Sequence, residues 1–212
     1  MPLAALDHLV LAAETLQQGE DYIESRLGAR PVRGGKHVAM GTHNSVLRVS
    51  ERNYFEIIAI DPEGATPARP RWFELDSPTM RAALREAPRL IHWVARTNDI
   101  GAAARACPVS LGVVHHMQRG PFEWRMTIPD NGHLPGRGLV PTLIQWVSAA
   151  HPAEAMPATH LHIITLAGEH PEPDVVRAAI VALDLSSTIK TSYAPTPRLA
   201  AMIRTPRGTV TL

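Results

Sequence analysis

Four polar side chains interrupt otherwise apolar, strand-like runs: His8 in ALDHLVLAA, Glu56 in YFEIIAI, His92 in RLIHWVAR and Gln145 in TLIQWVS. Alternate side chains of an extended strand share a face. His8 is therefore expected beside Leu6 and Val10, Glu56 beside Tyr54, Ile58 and Ile60, His92 beside Leu90, Val94 and Arg96, and Gln145 beside Leu143 and Val147. His8 and His92 lie 84 positions apart and Glu56 and Gln145 lie 89 apart, so the four take matching places in two halves of the chain. Glu56 weighs most. A carboxylate between Phe55 and Ile57 is costly to bury unless a metal, an arginine or hydrogen bonds compensate. Arg96 and Arg125 are the candidate arginines, and a pair with either would make a salt bridge and no metal site. A lone histidine on an apolar strand is more often a hydrogen-bonded core residue than a ligand.

Further polar candidates lie in GGKHVAMGTHN (34–44), read as a loop or irregular strand. There His37, Thr42 and Asn44 either contact a substrate or form turns. Arg125, sharing a face with Glu123 and Thr127, and Arg96 are candidate anchors for an anionic substrate group. Gly34 and Gly35 belong to no GxGxxG or P-loop arrangement, so no nucleotide cofactor is expected.

The elements that must position these residues repeat. ALDHLVLAAETL (5–16), RLIHWVARTNDI (89–100) and ATHLHIITLAGEH (158–170) each read as an apolar strand with a histidine, followed by a helix: Leu16 to Leu27 stopped at Gly28, Asp99 to Cys107, and Pro173 to Leu185. Short strand-like runs follow each helix, so each module reads βαβββ. The proline-rich stretch 61–88 links the first module (about 1–61) to the second (about 88–150). Residues 150–157 set off a third module at 156–212. Residues 1–150 are thus expected to form one two-module domain.

With 21 Lys plus Arg against 20 Asp plus Glu there is no basic excess to track a phosphate backbone, so nucleic acid is excluded as an expected partner. One cysteine, Cys107, allows neither an internal disulfide nor a thiolate zinc cluster, which fits a cytoplasmic location. No basic leader and no long apolar run suggest export or a membrane span.

The segments LDHLVLAA, GGKHVAMGTHN, YFEIIAIDPE, VPTLIQWVSAAHP and the closing RTPRGTVTL resemble the glyoxalase-like subgroup of the vicinal-oxygen-chelate superfamily, which includes glyoxalases, extradiol dioxygenases and bleomycin-resistance proteins. The resemblance implies an α+β fold in which paired βαβββ modules form a curved, eight-stranded mixed sheet, here with a third module appended. It also implies metal ligands from the first, fourth, fifth and eighth strands, that is His8, Glu56, His92 and Gln145. Such a set suits a divalent ion such as Zn, Ni, Mn, Fe or Co acting as a Lewis acid, with Glu56 as the catalytic carboxylate. At Gln145 the sequence departs from glyoxalase I, because an amide cannot abstract a proton. Two readings follow: a metal-dependent lyase, isomerase or dioxygenase acting on a small oxygenated metabolite, or a metal-free protein that sequesters a small molecule. The third module is expected to be structural, covering a sheet edge or forming a homodimer contact.

Overall fold

A computed structural model describes residues 3–148 and 150–212. Four strands come from the first half of the chain, β1 (Ala5–Ala12), β2 (Val32–His37), β3 (Thr42–Arg48) and β4 (Tyr54–Ile60). Four come from the second, β5 (Arg89–Arg96), β6 (Val113–Arg119), β7 (Phe122–Ile128) and β8 (Thr142–Trp146). They join in one curled mixed sheet of order β2-β3-β4-β1-β5-β8-β7-β6. Helix α1 (Leu16–Leu27) follows β1. Thr15 accepts from the Gln18 amide at its start, and Gly28 ends it in the left-handed conformation (φ 73°). Two further helices belong to this half of the molecule, α2 (Pro78–Glu86) and α3 (Ile100–Ala106). The proline-rich stretch expected to be a plain linker thus holds a helix. Pro78 occupies its first turn, where no amide hydrogen is needed, and Ser77 caps it.

The central ladder β1–β5 carries the symmetry of the two modules. Its register pairs His8 with Val94 and Val10 with His92, and Leu6 with Ala95 and Leu11 with Leu90. Adding 84 to the β1 partner and subtracting 84 from the β5 partner maps each of these pairs onto another pair of the same ladder. The ladder slips at two symmetry-related points, leaving Asp7 on β1 and Ile91 on β5 as extra residues. Such bulges re-aim side chains that strict alternation would send to the other face.

Alternation sorts the core into two layers. On the concave face Val10, Ile58, Val94, Trp124, Met126 and Ile144 pack with Trp72, Phe73, Leu75 and Leu84 from the stretch that crosses the cup. On the convex face Leu9, Leu11, Phe55, Ile57, Trp93 and Leu143 meet α1 and α3. The end of the chain forms a short helix α4 (Pro152–Ala155), then β9 (His162–His170), α5 (Pro173–Ala182), β10 (Ile189–Tyr193), β11 (Arg198–Thr205) and β12 (Gly208–Thr211). These last four strands form a separate sheet of order β10-β9-β11-β12. Leu166, Val176, Ile180, Leu199, Ala201 and Ile203 of this third module join the convex-face cluster, so it backs the cup. No described helix is long and apolar enough to cross a membrane.

Helix α1 lies close over β4 because Gly19 faces it: a Cβ there would come 2.4 Å from Ile57 Cγ2 and 3.0 Å from the Ala13 Cβ. Gly19→Ala should gain about 1 kcal/mol of helix propensity yet lose roughly 1–3 kcal/mol to overpacking. The expected result is a lower urea midpoint, with the Gly19→Ala/Ile57→Ala double variant less destabilised than the sum of its parts. A neutral or stabilised Gly19→Ala would refute the contact.

Candidate functional site

The bulge at Asp7 brings its carboxylate to the concave side of the sheet, where it is fully buried. It accepts from three groups: His8 Nδ1 at 2.7 Å, Trp146 Nε1 at 3.0 Å and His151 Nε2 at 3.1 Å. Burial alone would raise its pKa, but the hydrogen bonds from His151 and His8 outweigh that and hold it below the ordinary carboxylate range. Asp7 is therefore ionised and fixes two tautomers. His151 accepts the Ala153 amide at Nδ1 and so carries its proton on Nε2, toward Asp7. His8 donates from Nδ1 to Asp7, leaving its Nε2 3.7 Å from Glu56 Oε2. The Tyr54 ring stacks on His8 at 4.6 Å and holds the imidazole flat.

Glu56 is oriented from the β2–β3 hairpin. Its Oε1 accepts from Asn44 Nδ2 at 2.6 Å. The Asn44 Oδ1 in turn accepts the Gly35 amide at 2.9 Å and Arg119 Nη1 at 3.2 Å. A Cβ on Gly34 would sit 2.2 Å from Asn44 Oδ1, so this approach needs glycine. Arg119 Nη1 also donates to His37 Nε2 at 2.9 Å, which puts the His37 proton on Nδ1, beside Thr42 Oγ1 at 3.2 Å. Burial depresses the His37 pKa to about 4, a shift that Glu56 opposes and Arg119 reinforces. His37 is neutral near pH 7.

His8, Glu56, His37, Asn44, Arg119 and Trp72 line a cavity of about 30 Å³. Asn44, Tyr54 and Arg119 also line a larger adjoining chamber of about 370 Å³, walled by the β2 and β6–β7 hairpins and by Pro152 and Met156. His37, Thr42 and Asn44, expected in a loop or irregular strand, lie on paired strands whose register slips between Arg33 and Lys36, with Lys36 facing His43 and His37 facing Thr42 across a tight turn at Val38–Met40.

The other expected site residues lie elsewhere. His92 shares the concave face, but its Nδ1 bonds the Gly138 carbonyl at 3.1 Å and its Nε2 accepts the Thr142 amide at 3.1 Å. Burial depresses its pKa to about 3. Gln145 is on the convex face, where its Oε1 accepts the Ile100 amide at 3.0 Å and caps α3. Its expected equivalence to Glu56 is corrected by register. Val10 pairs with Glu56 and Val94 with Thr142, so Thr142 takes the matching place, and the β8 residues in the cup are Thr142, Ile144 and Trp146. Arg125 is exposed, opposite Gln145. Arg96 donates to the backbone carbonyls of Leu6 and Arg52. Neither arginine pairs with Glu56, whose partner is Asn44. Asp7, His151, Trp146 and Arg119 escaped the sequence reading. Strict alternation hides Asp7, distance along the chain hides His151, and Arg119 reads as an ordinary surface charge.

The chain matches the model of the glyoxalase-like domain over residues 6–183. It belongs to that family. Among solved structures, a hypothetical protein from Staphylococcus aureus superposes with TM-score 0.65 at 13% identity, covering 92% of this chain and 88% of the other. Methylmalonyl-CoA epimerase from Mycobacterium tuberculosis gives TM-score 0.46 at 16% identity over 71% and 92% of the two chains. A variant of 4-hydroxymandelate synthase from Streptomyces coelicolor gives 0.49 at 13% identity over 100% and 63%. No curated protein sequence matches. At these identities the likeness is one of fold.

A divalent ion in this glyoxalase-like domain would need three or more converging donors with free lone pairs. Among the described residues of the cup only His8 Nε2 and Glu56 Oε2 meet that description, since both nitrogens of His92 are taken and Gln145 lies across the sheet. The remaining nearby nitrogen, His37 Nε2, already holds the Arg119 cation. Among the described residues no group of three or more His, Cys, Asp or Glu is arranged around a metal position. The donor set does not fit a metal.

His37 and His92 make the glyoxalase-like domain acid-sensitive. Unfolded, each takes a proton as pH falls below about 6.5; folded, they resist until about 4 and about 3. Between those limits the unfolded chain binds more protons, so their contribution is full above pH 6.5 and drains as pH falls, by about 1.4 kcal/mol per pH unit per histidine. The urea midpoint should hold level near pH 7 and decline toward pH 4, and His92→Gln should remove roughly half of that slope.

Proposed function

We propose that the cup binds a small oxygenated metabolite and moves a proton on a carbon next to its carbonyl, as an isomerase or lyase does, with no metal required. The observation that carries this reading is the facing pair His8 Nε2 and Glu56 Oε2, 3.7 Å apart at the cavity wall. All their other polar atoms are committed: Glu56 Oε1 to Asn44, and His8 Nδ1 to an ionised Asp7. What remains free is one carboxylate oxygen and one imidazole nitrogen, the equipment of a base and its conjugate partner.

In this scheme Glu56 Oε2 takes the substrate proton. The C–H electron pair moves into the new C–C double bond and charge collects on the carbonyl oxygen, within the field of Arg119. His8, kept in one tautomer by Asp7, hydrogen-bonds Glu56 in its changing protonation states, and Asp7 stabilises any imidazolium that forms. His151 and Trp146 keep Asp7 in place. Apolar walls from Trp124, Met126 and Ile144 limit the water that competes for these groups.

Proton NMR in D₂O tests this on a panel of small ketones and 2-oxo acids. Wild type should exchange hydrogen for deuterium next to the carbonyl, with chelator making no difference. Glu56→Gln, nearly isosteric, should slow exchange about 10²–10⁴-fold while keeping the fold. Exchange abolished by chelator and restored by a divalent ion would overturn the metal-free reading. Binding of panel members without exchange would make the cup a carrier instead of an enzyme.

A further inference from the structure

Trp72 lines the same small cavity and a second one of about 10 Å³ shared with Thr142, is 4% exposed, and its indole Nε1 is buried with no hydrogen-bond partner among the described residues. The indole nitrogens of Trp93 and Trp146, by contrast, donate to the Leu139 carbonyl and to Asp7. Buried donors are almost always paired, because desolvation without a partner is costly. Trp72 is not free to turn away. The Arg71 amide and guanidinium bond Asp76 at 2.7 Å, the Glu74 amide bonds the Gly132 carbonyl at 2.8 Å, and Glu74 Oε1 accepts the Leu134 amide at 3.2 Å. Between these pins Phe73 and Glu74 take φ of 59° and 57°, a conformation that side-chain-bearing residues avoid. Strain of this kind persists where surrounding structure imposes it, and it gathers at ligand sites. The Trp72 ring is further set by a stacked contact with Phe73 at 5.2 Å and an edge contact with His37 at 5.0 Å.

Arg119 supplies the second observation. It stands between the small cavity and the larger chamber, lining both, and it forms no ion pair among the described residues; its hydrogen bonds go to the neutral groups His37 and Asn44. Arg33 and Lys36, which also line the chamber, are both committed to carboxylates. The chamber beyond Arg119 offers the apolar surfaces of Val46, Pro121, Phe122 and Met156. A volume of about 30 Å³ admits little more than one carbonyl group, whereas about 370 Å³ lies in the range of small-molecule sites.

We infer that the substrate is a 2-oxo carboxylate with a short apolar tail, its keto oxygen bound by the Trp72 indole N–H, its carboxylate by Arg119 and its tail by the outer chamber. The assignment rests on the proton-transfer reading and deepens it. The keto oxygen is the atom on which charge collects when Glu56 takes the proton from C3, so the indole N–H would stabilise the enolate more than the ketone. Trp72 is then the residue that selects a carbonyl, and Arg119 the one that selects an acid.

The test is a titration of ¹⁵N-labelled wild-type protein with 2-oxohexanoate, hexanoate and 2-hexanone. The Trp72 indole resonance is identified by its nuclear Overhauser contacts to Phe73 and His37. It should move downfield with 2-oxohexanoate and 2-hexanone and stay put with hexanoate. 2-Oxohexanoate should bind about tenfold tighter than either analogue, the worth of one buried hydrogen bond or one ion pair. Trp72→Phe should weaken 2-oxohexanoate about tenfold and leave hexanoate unchanged. An indole resonance unmoved at saturating 2-oxohexanoate, equal affinities across the three, or no binding of any would overturn the assignment. The first of these would mean that the indole N–H faces the second cavity, beside Thr142, instead of the substrate carbonyl. Exchange at C3 is read separately: exchange without an indole shift would defeat this inference and leave proton transfer standing. An indole shift without exchange would do the reverse.

Discussion

The buried charge of Asp7 is the constraint on which the cup depends. A carboxylate with no exposure must be met by donors or it will not stay ionised, and Asp7 is met by three, from β1, from β8 and from the segment that leads to the third module. Those contacts tie distant parts of the chain to one atom group. They also set the chemistry in front of it. Because Asp7 demands a proton from His8 Nδ1, the opposite nitrogen is presented to Glu56, and because it demands one from His151, that ring is locked as well. Removing any one donor would leave the buried charge less well compensated.

The two modules have diverged around a shared ladder. The β1–β5 register maps onto itself with its bulges included, yet the side chains at matching places do different work. At one bulge stands Asp7, at the other the apolar Ile91. His8 faces Glu56, while its counterpart His92 bonds the threonine that stands where Glu56 would be. One half of the cup thus keeps free polar groups and the other has become a satisfied core. That asymmetry explains why four polar residues at matching sequence intervals do not form one site.

The outer parts of the fold serve this arrangement. The β2–β3 hairpin brings His37, Asn44 and a glycine pair over Glu56, and the tip of β6–β7 brings Arg119 to the same place. The strained turn at Trp72–Glu74 packs Trp72 and Phe73 onto the concave face. The third module packs its apolar side on the convex layer and supports the cup from behind; among the described residues it adds no side chain to the small cavity, and only Met156, at its start, reaches the larger chamber.

Much of this was written locally. Helical spacing with a capping Thr15 and Gly28 defines α1 whatever surrounds it, and the thrice-repeated strand and helix pattern specifies the modules. Alternation suffices to put His8, Glu56 and His92 on one face, because side chains reverse at every residue of a regular strand. The same rule fails wherever the strand is irregular or its register is set by a partner. It sends Asp7 to the wrong face, since only the bulge against β5 turns that residue inward. It misplaces Gln145, since the face of β8 depends on how that strand pairs with β5 and β7. Pro78 reads as a break in sequence and acts as a helix start in space. Arg119, His151 and Trp72 have no local signature at all: their roles arise from segments 60 or more residues from Asp7 in the chain. Pattern along the chain determined which elements form and which faces are apolar, because those follow from periods of two and of 3.6 residues. Which polar groups meet, which are satisfied and which are left free for a ligand was decided by the tertiary structure, because hydrogen-bond partners are chosen by distance in space.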